Sequence, residues 1–222
     1  MTVSKSLPRS CLGAGVLLSV FVPATSLAGD LVLDNQELIM AGAYSYNNVI
    51  LKNGARITVR PYDGISGGVL QLRAKSIDID ISSSVVADGA GYRGTHNGNG
   101  QTPAGTDGGG KGGSCCMDAG GGGAYGGAGG RAAFDDCARA DGEGGAPYGT
   151  ATGDDIDMGA AGGAAGHLDG DDGGYGGAGG GAIVMRADSI HIDGTLSTNG
   201  ADGFITSNDS AGGGAGGGIL LF

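Results

Sequence analysis

The side chains of this 222-residue chain best suited to chemistry are aspartates, 21 of them against two glutamates, and they cluster. Asp135 and Asp136 are adjacent, Asp154 and Asp155 stand beside Asp157, and Asp169 precedes Asp171 and Asp172, all near glycines. Hard carboxylate oxygens among flexible backbone, which can add carbonyl ligands, are what calcium requires. Asp154, Asp155, Asp157, Asp169, Asp171 and Asp172 are therefore the candidate calcium ligands. Neither the nine-residue calcium repeat nor the twelve-residue EF-hand loop is present, and solvated turns with solubilising charge are the stronger reading. The expectation is no resident cofactor, with calcium as the one candidate.

Other reactive types are present without the context their chemistry needs. Gly64–Gly68 satisfies the nucleophile-elbow pattern G-x-S-x-G, but a strand follows where a helix is required, so Ser66 reads as a turn residue. Gly89–Gly94 satisfies G-x-G-x-x-G, yet THNGNGQTPAG beyond it is not a helix that would hold a pyrophosphate. His96, His167 and His191 lie far apart, and none has an H-x-x-x-H partner for zinc. Asp78, Asp80 and Asp193 are expected on outward strand positions, the arrangement from which polysaccharide-active enzymes project paired carboxylates into a cleft. Only Arg73 and Arg186 accompany them, with no aromatic platform for a sugar, so the chain reads as a non-enzyme. Cys137 is expected to pair with Cys115 or Cys116, which leaves one thiol spare or available to link molecules.

Those cysteines matter because the chain reads as exported. Lys5 and Arg9 precede the apolar run CLGAGVLLSVFV, and Ser26-Leu27-Ala28 offers small residues for cleavage between Ala28 and Gly29. The apolar run is too short to span a bilayer, so the mature chain is expected to have no transmembrane segment and to be secreted, extracellular or at the cell surface, with the periplasm an alternative. Loss of Lys5 and Arg9 leaves ten basic residues against 23 acidic, a formal charge of −13, which argues against nucleic acid and anionic lipid as partners.

The elements that must hold these side chains are legible in a repeat. GGVLQLRAKSIDID from Gly67 and GGAIVMRADSIHID from Gly180 match at a constant offset, and the closing GGILLF aligns with GGVLQL as a third copy that ends after its first strand. Alternation of Leu70 with Leu72, and of Ile77, Ile79 and Ile81, predicts short strands with aliphatics on one face, two per copy, joined at a polar corner. Asn53-Gly54 marks a turn between two more alternating runs. Short strands, repeated corners and no amphipathic helix predict an all-β fold, a short parallel β-helix or β-solenoid. A β-sandwich with a disordered Gly-rich loop is the alternative. The expected organisation is a signal peptide over 1–28, an N-terminal β-coil over 29–88, a Gly-rich insertion over 89–180, and a C-terminal coil over 181–222 that completes the same domain.

The insertion concentrates the glycine: 36 fall in residues 89–181, against five in 30–88. It is either a disordered linker or extended, polyglycine-II-like chain packed side by side, where missing Cβ atoms allow close backbone approach. Recurrence of YGGAGGRA from Tyr125 as YGGAGGGA from Tyr175 favours order.

The signal segment, the coil GAYSYNNVILKNGA (Gly42–Ala55), the paired GG-strand-A-x-S-I-x-I-D units and the GGxGG-rich excursion together resemble secreted glycine-rich bacterial proteins of the cell surface and extracellular matrix. There is a looser similarity to the glycine-rich extracellular domain of anaplastic lymphoma kinase receptors, where glycine strands pack as a lattice. The first resemblance implies a structural or adhesive role. Unfinished rungs at either end, one odd cysteine and backbone-exposing glycine favour lateral or end-to-end assembly, with Ile219, Leu220, Leu221 and Phe222 as the candidate assembly residues and further copies or other surface and matrix components as partners. A calcium-, glycan-, ice- or other polymer-binding module is the alternative function, and a polysaccharide-active enzyme a remote one.

Overall fold

A computed structural model describes residues 29–96, 98–113, 119–132, 142–150, 156–166, 174–205 and 210–222. Among these there is no helix. Ten strands form two sheets in which every pairing is parallel. The first sheet contains β1 (Leu31–Asp34), β3 (Gly42–Ser45), β4 (Asn48–Lys52), β6 (Val69–Ile79), β8 (Ala182–Ile192) and β10 (Ile219–Leu221). The second contains β2 (Glu37–Met40), β5 (Arg56–Val59), β7 (Ser84–Val86) and β9 (Thr195–Ser197). The chain crosses repeatedly from one sheet to the other, advancing one strand position with each return.

Period-2 patterning explains why this order buries a core. In register, Leu33, Leu51, Ile79 and Ile192 stack in one column and Leu31, Val49, Ile77 and Ile190 in the next. The second sheet answers with Leu38, Ile57, Val85 and Leu196. Leu51, Ile57, Ile77, Ile79 and Val85 are all buried in a single cluster shared by both sheets. Each such side chain contributes about 1.5–3 kcal/mol of burial free energy, so the stack is held by repetition of one contact.

Two of the corners between sheets carry asparagine, Asn35 after β1 and Asn53 after β4. Asn53 and Gly54 have φ of 57° and 84°, and the turn they make carries the chain from β4 in the first sheet to β5 in the second. Asn tolerates this left-handed backbone because its short amide bonds locally. Here it bonds along the stack: the Asn53 side chain donates to Asp34 at 2.8 Å, and its backbone N–H donates to Asp80 at 2.7 Å.

The two units of the repeat pair as their offset predicts, Val69 on Ala182 through Ile79 on Ile192. Each unit is one eleven-residue strand, however, and not two strands joined at a corner. The polar step survives as a bend, where the N–H groups of Lys75 and Ser76 both point at the Asn47 carbonyl. The corner expected there appears one layer below, between β3 and β4, which pair with the two halves of β6.

The described parts of the Gly-rich region are held mainly by backbone hydrogen bonds. Residues 156–166 run through the middle of it. The N–H groups of Gly159, Gly162 and Ala165 donate to Gly180, Gly177 and Gly174; those of Ala160 and Gly163 donate to Ala124 and Gly121; those of Ala161 and Ala164 donate to Gln101 and Gly98. Every third residue thus addresses the same neighbour, as a helix of three residues per turn requires. Carbonyls point outward between these directions: those of Ala160 and Gly163 accept from Ala215 and Gly212, those of Ala161 and Ala164 accept from Gly110 and Gly113, and that of Gly159 accepts from Tyr92. The segment is therefore surrounded by six extended stretches, and Ala160, Ala161, Ala164 and Ala165 are fully buried among them.

The recurring YGGAGG sequences take different paths. At Tyr125, Gly126 has φ of 59° and reverses the chain, so that Gly122 bonds to Gly130. From Tyr175 the chain continues straight alongside 159–165.

Candidate assembly surface

The four hydrophobic residues Ile219–Phe222 lie together on one end of the first sheet. Alignment of the glycine pairs places Ile219 over Ala182; the structure moves it one residue, onto Ile183, with Leu220 on Val184 and Leu221 on Met185. The shift has a physical reason. Because strand side chains alternate, one residue of slip exchanges the two faces, and the observed register continues the inward columns of Leu70 with Ile183 and Leu72 with Met185. Phe222 extends the ladder, its N–H donating to Met185 at 3.0 Å and its carbonyl accepting from Ala187 at 3.2 Å. Its ring lies 4.4 Å from the Arg186 guanidinium, a cation–π contact. β8 covers one side of this strand. On the other side no described strand pairs with it, and Ile219, Leu221 and Phe222 remain 38%, 44% and 53% exposed.

β10 reaches only the first half of β8. Beyond Ala187, no described strand pairs with the outer side of Ser189–Ile192, nor with the outer side of β9. At the opposite end of the stack, β1, β2 and β3 each pair on one side only. Open parallel edges with apolar side chains are templates for further strands.

Of the aspartates expected on outward strand positions, only Asp78 lies on a strand; Asp80 and Asp193 stand just past the ends of β6 and β8, and all three serve the stack. Asp78 and Asp193 flank His191, each carboxylate oxygen 3.6 Å from one ring nitrogen, all well exposed. Asp80 caps a corner: the hydroxyl of Ser83, the backbone N–H of Asn53 and then Ser82 hold its carboxyl down from 3.8 to about 2. A carboxyl depressed on folding stabilises fully above its unfolded value and loses that contribution as pH falls through the folded one. Melting temperature should therefore decline between about pH 4 and pH 2, and an Asp80→Asn variant should show a shallower decline over that window when both are melted at stepped pH.

Ser66 sits in an exposed turn around Asp63, whose carboxylate accepts from the N–H groups of Ile65 and Ser66 at 2.9 and 2.8 Å and lies 3.1 Å from the Ser66 hydroxyl. Those backbone donors lower the Asp63 carboxyl below its usual range. The glycines of GAGYRG enter the backbone network, Gly91 donating to Gly179 at 2.6 Å. His96 packs on the Tyr175 ring at 4.6 Å. Of the calcium candidates only Asp157 is described; it accepts from the Met158 N–H at 2.7 Å. Asp154, Asp155, Asp169, Asp171 and Asp172 lie outside the described residues, as do His167, Cys115, Cys116, Cys137 and Ala28. Among the described residues no group of three or more metal-ligating side chains converges. Gly29 is described, and its carbonyl accepts from Asn47 at 2.9 Å.

A tyrosine seam was not read from the sequence. Tyr62 and Tyr92 meet edge to face at 5.5 Å, and Tyr125 and Tyr148 meet at 5.3 Å where the sheets join the Gly-rich region. Tyr148 donates its hydroxyl to the Met158 carbonyl, and the Asp157 N–H donates to the Tyr125 hydroxyl at 3.1 Å. Burial, then the Asp157 charge, pushes the Tyr92 phenol up to about 12 and raises Tyr148 as well. The tyrosines span 87 positions of sequence, from Tyr62 to Tyr148, and no periodicity relates them.

No helix among the described residues is long and apolar enough to cross a membrane. Comparison with protein-family models, curated proteins and solved structures gives no match.

Proposed function

We propose that the chain is an exported, non-enzymatic structural or adhesive protein of the cell surface or matrix that acts by self-assembly. In this reading the two parallel sheets are the walls of a short β-solenoid, and the threefold hydrogen-bonded region beside them is a polyglycine-II-like lattice. The observation that carries the reading is the pair of open parallel edges, β8–β10 at one end and β1–β3 at the other, with Ile219, Leu221 and Phe222 exposed at the first. Export processing between Ala28 and Gly29 fits the same picture, because Gly29 is already hydrogen-bonded at the β1 end.

The test is the molar mass of the purified exported protein by size exclusion with light scattering, over a range of concentrations, with and without reductant and chelator. Mass above the monomer that grows with concentration is the expected result. A strictly monomeric protein at high concentration under oxidising conditions overturns the reading. Dissociation by chelator alone would favour the calcium-binding alternative.

A further inference from the structure

Resting on that reading, we infer that the partner is a second copy of this chain, joined head to tail through a stepped lap joint in which β1, β2 and β3 of one copy continue the ladders of β8, β9 and β10 of the next. The two ends are complementary steps. In the first sheet the strand positions above the second halves of β6 and β8 are filled by β4 and then β1, while those above the first halves are filled by β3 alone. The β1 end therefore protrudes on one half and is recessed on the other. At the far end β10 covers the first half of β8 and leaves the second half open. The protrusion of one end fits the recess of the other, so β1 of a copy seats on Ser189–Ile192 while its β3 seats on β10.

The same fit satisfies side chains and backbone. Continuing the columns by one layer puts Leu31 on Ile190, Leu33 on Ile192, Leu38 on Leu196 and Tyr44 on Leu221. These pairs repeat Val49 on Ile77, Leu51 on Ile79, Ile57 on Val85 and Leu72 on Met185 within the chain. Backbone groups in a parallel ladder point alternately to the two sides. Asp193 donates to Ile79, which turns Ile190 and Ile192 to the open side; Asn35 donates to Lys52 and Asn47 to Gly29, which turns Val32 to the open side of β1. With Leu31 over Ile190, the Val32 N–H meets the Ile190 carbonyl, and its own carbonyl meets the Ile192 N–H. Such a contact uses different surfaces on the two partners, and because it repeats the layer-to-layer step of the parallel ladder, each added copy presents the same open end and the assembly extends as a filament. One feature opposes it: next to Leu33 and Ile192, the joint sets Asp34 beside Asp193.

The experiment blocks each end separately and then mixes the blocked proteins. Val32→Pro removes an N–H that faces only the open side, and Val32 is 47% exposed. Leu221→Arg places a charge on the opposite end. Each variant alone is expected to be monomeric with an unchanged melting temperature, while an equimolar mixture forms a discrete dimer, because each supplies the end the other lacks. Should Val32→Pro fail to fold, Ile39→Pro replaces it: Arg56 donates to Gln36 and Arg60 to Met40, which leaves the Ile39 N–H facing outward. Asp193→Asn in the otherwise native protein should tighten association about three-fold at low salt. If folded end-blocked variants assemble as the native protein does, or if the mixture stays monomeric, the lap joint is wrong while self-assembly by another contact stands. A native protein that is itself monomeric removes both.

Discussion

Gly162→Ala is expected to lower the melting temperature by about 6–12 °C, whereas Gly127→Ala should leave it within about 2 °C. The chemical change is identical; the surroundings are not. A Cβ at Gly162 would enter the carbonyl group of Gly212 and press on Gly213, both backbone, while a Cβ at Gly127 would meet nothing within 4 Å. Gly162 also donates to Gly177 from the centre of a segment bonded to six neighbours, so it cannot shift without straining the others. Overpacking costs about 1–3 kcal/mol, and backbone that cannot yield puts this site at the upper end, about 3 kcal/mol; for a chain of this length each kcal/mol is worth about 2–4 °C. At Gly127 the reduced freedom of the unfolded chain offsets part of any loss. Thermal melts of the two variants side by side check the pair. Equal, small shifts would mean that the glycine stretches are not packed against one another in solution.

The strand columns were legible because their signal is redundant. Period-2 alternation, the identical Arg-Ala-x-Ser-Ile-x-Ile runs and a constant offset all fix the same register, and Ile77 pairs with Ile190 as they require. The register of Ile219 was not, because only a glycine pair and one short apolar run fix it. Gly217 and Gly218 carry no side chain to distinguish one alignment from its neighbour, and the decision falls to the inward column of Ile183 and Met185. The same cause hides the partners within the Gly-rich region. Its segments are specified by which backbone groups meet, and three successive N–H groups of Gly159, Ala160 and Ala161 address three separate stretches. Sequence recurrence marked the region as ordered, yet at Tyr125 a single positive φ at Gly126 sends the same motif along another path. Ile219–Phe222 were visible as an assembly candidate because they are apolar beside glycines. The other end was expected only as an unfinished rung without named residues, since those of β1–β3 alternate like any other strand and their open side emerges only once the layers are counted.

The second large effect is expected at the core. Ile79→Ala should destabilise the protein by about 3–4 kcal/mol and should weaken the glycine region to the same degree. Ile79 is fully buried between Leu51 and Ile192, so truncation leaves a cavity that flanking strands, fixed in register, cannot collapse to fill. The two regions share backbone at their junction. Ala182 donates to Gly68 at 2.8 Å, Gly181 to Ala87 at 2.7 Å and Gly159 to Gly180 at 2.8 Å, while Met158 packs where a Cβ on Gly68 would stand. Loss of β8 from the stack would therefore release Gly180 and Gly181, and with them the segment 156–166. Amide hydrogen exchange decides it: if the sheets and the glycine segments unfold as one unit, protection at Leu51 and at Gly163 falls by the same free energy in Ile79→Ala. Retained protection at Gly163 would show that the glycine segments hold without the strands, and that the tyrosine seam between them is a boundary between two separately stable parts.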